Sequence, residues 1–250
     1  MRSFLTLLRR EISHLFHQPL AYVILCFMLV ITGIIFYSGV SALNHQAAQI
    51  TVLESFFNSM LFWFPYILVF PLLTMRLFSE EYKMGTIETL MTAPVKDHHV
   101  VLAKFFGALF FYIVLWAPSG LYFLFFQIIS GQSAADSAGA YLGAYSLLIL
   151  AGCFYIALGC LASAVTANQI VAAAISFALI CLAFFLSLLS AIFLRATFLQ
   201  EFSYYFSTME HMAEFSRGNF DTRPIVYYLS MTALTLFLTL HVFQARRWRK

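Results

Sequence analysis

RLFSEEYKMGTIETLMTAPVKDHHVVLAK, residues 76–104, holds Arg76, Glu80, Glu81, Lys83, Glu88, Lys96, Asp97 and Lys104, eight of the chain's 14 basic and 11 acidic residues. Apolar runs long enough to cross a bilayer flank it on both sides. Lipid cannot solvate charge this dense, so the stretch lies in water or against another protein. Ser79 is placed to cap a short helix whose first turn carries Glu80 and Glu81, where acids suit the positive end of the helix dipole. Gly85 breaks that helix. Thr86 is placed to cap a second, 87–91, with Glu88 in its first turn, and Pro94 prevents continuation through Ala93. The spacing predicts a helix–break–helix on the membrane surface, a docking element for a soluble partner.

Around this stretch the composition is that of an integral membrane protein. The 250 residues are 62% hydrophobic and 10% charged, with a mean hydropathy of +0.86. Soluble domains carry about 25% charged residues. Cys26, Cys153, Cys160 and Cys181 all fall in apolar runs with no CxxC pair. They read as small buried side chains, not as a disulfide or metal set.

Upstream, residues 2–17 place Phe4, Leu5, Leu8, Ile12, Leu15 and Phe16 on one helical face and Arg2, Thr6, Arg9, Arg10 and Ser13 largely on the other. That pattern predicts an amphipathic N-terminal interfacial helix, ended near Pro19. Residues 21–43 form the first span. Val40-Ser41-Ala42 loosely fits a cleavage site, but the apolar core exceeds the roughly 7–15 residues of a signal peptide. Residues 44–55 read as a short polar loop, and 56–75 as a second span carrying Pro65 and Pro71.

Downstream, 105–129 is a third span, rich in Phe, Tyr and Trp and read as mainly lipid-facing. From Ser137 to Leu194 there are 58 residues without one Asp, Glu, Lys or Arg. A crossing takes about 20 residues, so this run supplies two spans, 141–165 and 169–194, turning at Thr166-Ala167-Asn168. Gly139, Gly143, Gly152 and Gly159 recur at spacings that favour close helix packing. Residues 195–223 are a polar and aromatic outer segment with room for one or two short helices. The sixth span is 225–242, and a basic tail with Trp248 follows.

Basic residues orient the whole. With the N-terminus inside, the cytoplasmic segments hold eleven Lys and Arg, and the outer segments hold three, Arg195, Arg217 and Arg223. The fold class is therefore an all-α integral membrane protein. One domain, 1–250, has six transmembrane helices, an interfacial helix at 2–17 and both termini in the cytoplasm.

What the spans lack narrows the function. They contain no Asp, Glu, Lys or Arg, whereas proton- or ion-coupled transporters need such groups there. Intramembrane proteases need an aspartate pair or HExxH, and neither is present. His98 and His99 are adjacent and diverge on a helix, so no metal site is expected. No GxxxxGK[ST] phosphate loop exists either. The chain reads as not an enzyme, without a cofactor or nucleic-acid partner of its own. Energy for any transport has to arrive through the charged loop.

The stretch FSEEYKMGTIETLMTAPV (78–95) resembles the signature loop of type-2 ABC exporter permeases. The small-residue turn SAVTANQIVAAA (163–174) and the amphipathic start fit the same family. The run 214–250 is similar to a subgroup that includes permeases of gliding-motility and nitrous-oxide-reductase maturation systems. The resemblance implies that 76–104 forms a cytoplasmic coupling helix between spans 2 and 3, seated against a separate ABC ATPase subunit that holds ATP and Mg. It implies a homodimer or close heterodimer with a second permease copy in the cell inner membrane. Glu80, Glu81, Gly85, Thr86 and Glu88 are carried over to the coupling loop, and Asn168 and Gln169 to the second cytoplasmic turn. Arg217, Asp221 and Arg223 match an outer segment and are candidates for an outer gate. The uncharged spans favour a lipid-like or amphipathic substrate among membrane lipids. The alternative is a scaffold or assembly factor that docks soluble partners on 76–104 and transports nothing.

Overall fold

The computed structural model describes residues 2–45, 50–87, 95–131, 133–192 and 205–248. Among them the helices are α1 (Arg2–His17), α2 (Pro19–His45), α3 (Val52–Asn58), α4 (Met60–Thr74), α5 (Ser79–Met84), α6 (Asp97–Ser130), α7 (Ala138–Val165), α8 (Gln169–Ile192), α9 (Thr208–Ser216) and α10 (Thr222–Trp248). Among the described residues, five segments are long and apolar enough to cross a membrane: Pro19–Ser41, Met60–Met84, Asp97–Ser130, Ala138–Val165 and Thr222–Arg246. In α8 the qualifying apolar run, Gln169–Phe185, is shorter. The protein is a multi-pass, all-helical membrane protein.

α7 is the centre of the bundle, touching α4, α6, α8, α9 and α10. Its small residues are the reason. A Cβ on Gly143 would strike the Phe215 carbonyl of α9, one on Gly152 the Tyr112 ring of α6, and one on Gly159 the Thr74 side chain of α4. The close packing expected of these glycines is therefore satisfied inside the chain. α2 and α10 lie outside, with most of their large apolar side chains, such as Val23, Val30, Tyr37, Val226 and Phe237, exposed. Exposed apolar surface of this extent faces lipid, because in water it would cost about 25 cal/mol per Å².

Several boundaries depart from the sequence reading. The loop expected at 44–55 contains the start of α3, closed by a capping box. The Thr51 backbone N–H donates to Glu54 Oε2 (3.0 Å) and the Glu54 N–H donates to Thr51 Oγ1 (3.2 Å). Ser59 then turns extended (φ −62°, ψ 131°), so the second span begins at Met60 and not at Phe56. Pro65 and Pro71 both sit inside α4. α6 begins at Asp97, not at Phe105, which takes Lys104 out of the loop and into a helix. The aromatic third span is not mainly lipid-facing. Tyr112, Trp116 and Phe123 turn inward to a ring cluster with Phe56, Phe57, Phe62 and Tyr66, and the buried Phe111 meets Phe16 of α1, while Phe106, Phe110 and Phe125 are exposed.

The bundle has two polar ends. One gathers α1, α5, the start of α6, the end of α7, the start of α8 and the end of α10. The other gathers α3, α9, the 133–137 loop and the start of α10. There Tyr155 and Thr208 hydroxyls lie 2.8 Å apart, Tyr228 donates to Thr208 (3.1 Å), and His211 Nδ1 meets Tyr228 (3.3 Å), which ties α9 to α7 and α10.

Candidate functional site

At the α5 end, four charged side chains from three helices meet. Lys104 of α6, only 2% exposed, places Nζ 3.2 Å from Glu11 Oε2 of α1 and 3.0 Å from Glu81 Oε1 of α5. Arg10 Nη2 donates to the same Glu81 oxygen at 2.9 Å. The Phe78 ring lies 5.4 Å from the Lys104 ammonium. Gly107 lets α1 come this close, since a Cβ there would sit 3.1 Å from that of Glu11. A buried ammonium is tolerated only with such pairing.

α5 itself is short and carries Glu80 and Glu81 in its first turn. Its N-cap is Phe78, not Ser79; the buried Ser79 hydroxyl donates instead to the Met75 carbonyl. The cap's work is done from α7. Ser163 Oγ accepts from the Phe78 and Ser79 backbone N–H groups (3.0 and 3.1 Å) and donates to Met75 O (3.2 Å). From α10, Arg246 donates to the Val165 carbonyl and stacks over Tyr82 at 4.5 Å, while Phe243 meets Phe78 at 5.9 Å. Gly85 ends the helix with φ 72°, the left-handed conformation glycine adopts without penalty. Lys83, Met84, Gly85 and Thr86 are exposed. A cavity of about 180 Å³ opens between α1 and α5, lined in part by Arg10, Glu11, Arg76, Glu80, Glu81 and Lys104. Among the described residues, Arg76 Nε, Glu80 Oε2 and Glu81 Oε2 of this lining are buried without a hydrogen-bond partner.

The residues singled out from sequence divide accordingly. Glu80, Glu81, Gly85 and Thr86 share this end. Glu88 and the second helix expected at 87–91 lie largely outside the described residues. Asn168 caps α8 through its Oδ1, which accepts from the Ile170 N–H (2.9 Å), and with Gln169 it sits at the same end, where α5 touches α8. At the other end, Arg217 does not pair along a helix with Asp221. Its Nε donates to Glu54 Oε1 at 3.1 Å, joining α9 to α3. Asp221 accepts from the Arg223 N–H (3.0 Å) at the start of α10, and the Arg223 guanidinium lies 5.9 Å from the Tyr205 ring. Sequence reading missed Arg10, Glu11, Lys104 and Glu54. The signals were a lone acid in an otherwise basic amphipathic helix, and a lone lysine opening an apolar run. No group of three or more His, Cys, Asp or Glu able to hold a metal occurs among the described residues.

Residues 7–186 match the model of the ABC-2 family transporter proteins. The chain belongs to that family. The match runs from residue 7, inside α1, to residue 186, within α8, includes the whole ionic cluster, and does not reach α9 or α10. It is to the family at large and selects no subgroup. No curated protein matches the chain. As an ABC-2 family membrane component it is a part of a transporter, of a kind that typically pairs with an ATPase subunit.

Proposed function

We propose that this chain is the permease subunit of an ATP-driven exporter and that α5 is the coupling helix on which a separate ABC ATPase acts. One observation carries the reading. α5 is held at once by α1 through Arg10, by α6 through Lys104, by α7 through Ser163 and by α10 through Arg246. A displacement imposed on so short a helix has to move the others or break these bonds, which is what transmission to the membrane requires. Its outward edge, Lys83 to Gly85, is exposed and includes Met84, 67% exposed.

In this reading α8 supplies a sixth crossing, both termini face the cytoplasm of the inner membrane, and α1 lies along the inner interface. A second permease copy completes the path for a lipid-like or amphipathic substrate. The glycines of α7 are already used within the chain, so the dimer contact falls on other surfaces. Of the outer candidates, this reading takes Arg217 for the gate, supported by its link from α9 to α3, whereas Asp221 and Arg223 interact locally at the start of α10.

The test is co-expression with a cognate ABC ATPase. Met84→Asp places a charge on the docking edge, and is expected to lower ATPase co-purification while the permease still inserts and folds. Undiminished association, together with no nucleotide-dependent change in the wild-type permease, would leave the scaffold reading in its place.

A further inference from the structure

α10 runs from one polar end of the bundle to the other and is tied to a short helix at each. Near its C-terminus Phe243 meets Phe78 at 5.9 Å, and Arg246 stacks over Tyr82 at 4.5 Å. Phe78 and Tyr82 are four residues apart and Phe243 and Arg246 three, so one face of α5 lies along one face of α10. Arg246 also donates to the Val165 carbonyl, one of the last-turn acceptors of α7 that no intrahelical donor reaches. Near its N-terminus the fully buried Tyr228 donates to Thr208 of α9 (3.1 Å) and meets His211 (3.3 Å). The neighbouring Tyr227 ring lies 5.4 Å from that of Phe206.

What lies between is smooth. Tyr228 and Arg246 are 18 residues apart, about five turns and about 27 Å of helix, so they share a face. Tyr228, Thr232, Thr235, Thr239 and Phe243 form a buried stripe where α10 packs along α7. The three threonine hydroxyls donate to carbonyls of α10 itself, at Tyr228, Met231 and Thr235, and are not spent on α7. Leu234 and Leu238, on the other side, are exposed to lipid. No proline or glycine follows Pro224 in this helix, which leaves it without the usual causes of a kink. α7 also reaches both ends, but Gly143, Gly152 and Gly159 lock it against α9, α6 and α4. α10 has a lipid-facing side and is free to shear by small steps, as packed helices do.

We infer, on the reading that α5 is the coupling helix, that α10 is the strut by which a displacement of α5 reaches the outer end of the bundle. Phe243 and Arg246 take up the movement, and Tyr228 delivers it to α9. α9 leads into Arg217, whose bond to Glu54 joins it to α3, so movement of α9 acts on that link. Phe243, Arg246 and Tyr228 are positioning residues: they set where α9 stands for each position of α5.

The chain is reconstituted in nanodiscs with a cognate ABC ATPase, and deuterium uptake over 79–86 and 208–216 is followed with and without MgATP and orthovanadate. Wild type is expected to show a nucleotide-dependent difference at both segments. Leu234→Gly with Leu238→Gly softens the rod at lipid-facing positions between its two ends. It is expected to keep the difference at 79–86 and lose the one at 208–216. Arg246→Gln removes the inner stack, leaves the rod intact and is expected to give the same split, so either variant suffices if the other does not fold. A wild-type difference at 79–86 without one at 208–216 would overturn the strut and leave α5 as the coupling helix. So would a difference at 208–216 that survives in the variants. No nucleotide-dependent difference at 79–86 in wild type would remove the coupling-helix reading itself, and the strut with it.

Discussion

Lys104 and Glu11 form a buried ion pair, Nζ to Oε2 3.2 Å, between a helix that crosses the membrane and the amphipathic helix at the start of the chain. The two residues are 93 positions apart, so the pair fixes α1 to the bundle and is not a local ornament of either helix. Its exposure is low on both sides, 2% and 8%, and Glu81 shares the same ammonium. Removing one member of a buried pair leaves an uncompensated charge, at a cost of about 3–5 kcal/mol.

Lys104→Met is therefore expected to destabilise the protein strongly, because two carboxylates lose their common cation and only Arg10 remains for Glu81. Glu11→Gln is expected to cost much less, since Lys104 keeps Glu81. In the double variant part of the Lys104→Met loss is recovered, because one of the stranded carboxylates is gone. Thermal melts in detergent give the three values, and strict additivity would show that the pair is not coupled.

Glu54 has two duties that substitution separates. Its carboxylate closes the capping box of α3 and accepts from Arg217. Glutamine at the same position can still close the box. Glu54→Gln is expected to cost about 1 kcal/mol, an exposed arginine being a weak partner. Glu54→Ala also removes the bond from the Thr51 N–H, about a further 0.5–1.5 kcal/mol, while Thr51 Oγ1 still accepts from the backbone N–H of residue 54. Equal effects of the two variants would mean that the side-chain half of the capping box contributes nothing.

Much of the fold could be read in the sequence because membrane helices announce themselves by what they lack. The charge-free run from 137 to 194 gave two helices with a turn at 166–168, and α7 and α8 meet there. The glycine spacing pointed to close packing, though not to the partners it serves. α3 was lost because its apolar residues merge with those of α4, and the break at Ser59 depends on one extended residue. Thr51 and Glu54, in capping-box register, were the available sign. The ionic cluster was not legible. Periodicity puts Glu11 on a helix, but the sequence reading left Lys104 at the end of the charged loop, and nothing local says that two helices so far apart in sequence cross at Gly107. Arg217 and Glu54, 163 positions apart, pose the same difficulty.

The three tight glycines of α7 meet different obstacles, and alanine there is expected to rank accordingly. Gly143→Ala meets the Phe215 carbonyl, which is backbone, whereas Gly152→Ala meets the Tyr112 ring and Gly159→Ala a threonine side chain. Overpacking costs typically about 1–3 kcal/mol. Gly143 is expected at or above the top of that range, because α9 has to move as a unit. Denaturation of the three variants tests the order, and Gly143→Ala as the mildest would refute the packing described.

The proposed orientation rests on the count of eleven basic residues against three in the two sets of segments. In a background without native cysteines, Asn219→Cys is expected to react with an impermeant maleimide added to intact cells, and Lys83→Cys only after lysis. Both positions are exposed, so failure to label would not come from burial. External labelling of Lys83→Cys would place α5 on the wrong side for a cytoplasmic ATPase.

Substitution at Gly85 is expected to separate docking from transmission. With φ 72° it ends α5, and a Cβ built there meets nothing within 4 Å, so a substitution acts through the backbone alone. A residue with a Cβ costs about 1–2 kcal/mol in this conformation, and a β-branched one suffers most. Gly85→Val is expected to shift or unwind the end of α5 while leaving Lys83, Met84 and the Ser163 clamp in place. Asparagine tolerates the left-handed region, so Gly85→Asn serves as the conservative control. With a co-expressed ATPase, Gly85→Val is expected to bind it nearly as wild type does. Stimulation of ATP turnover by the permease is then expected to fall, while Gly85→Asn retains most of it. Glu81→Gln, which loosens the tie to Lys104 and Arg10 at the other side of the same helix, is expected to show the same split. If Gly85→Val and Glu81→Gln both support wild-type stimulation, α5 is a solvated turn and the coupling has to run elsewhere.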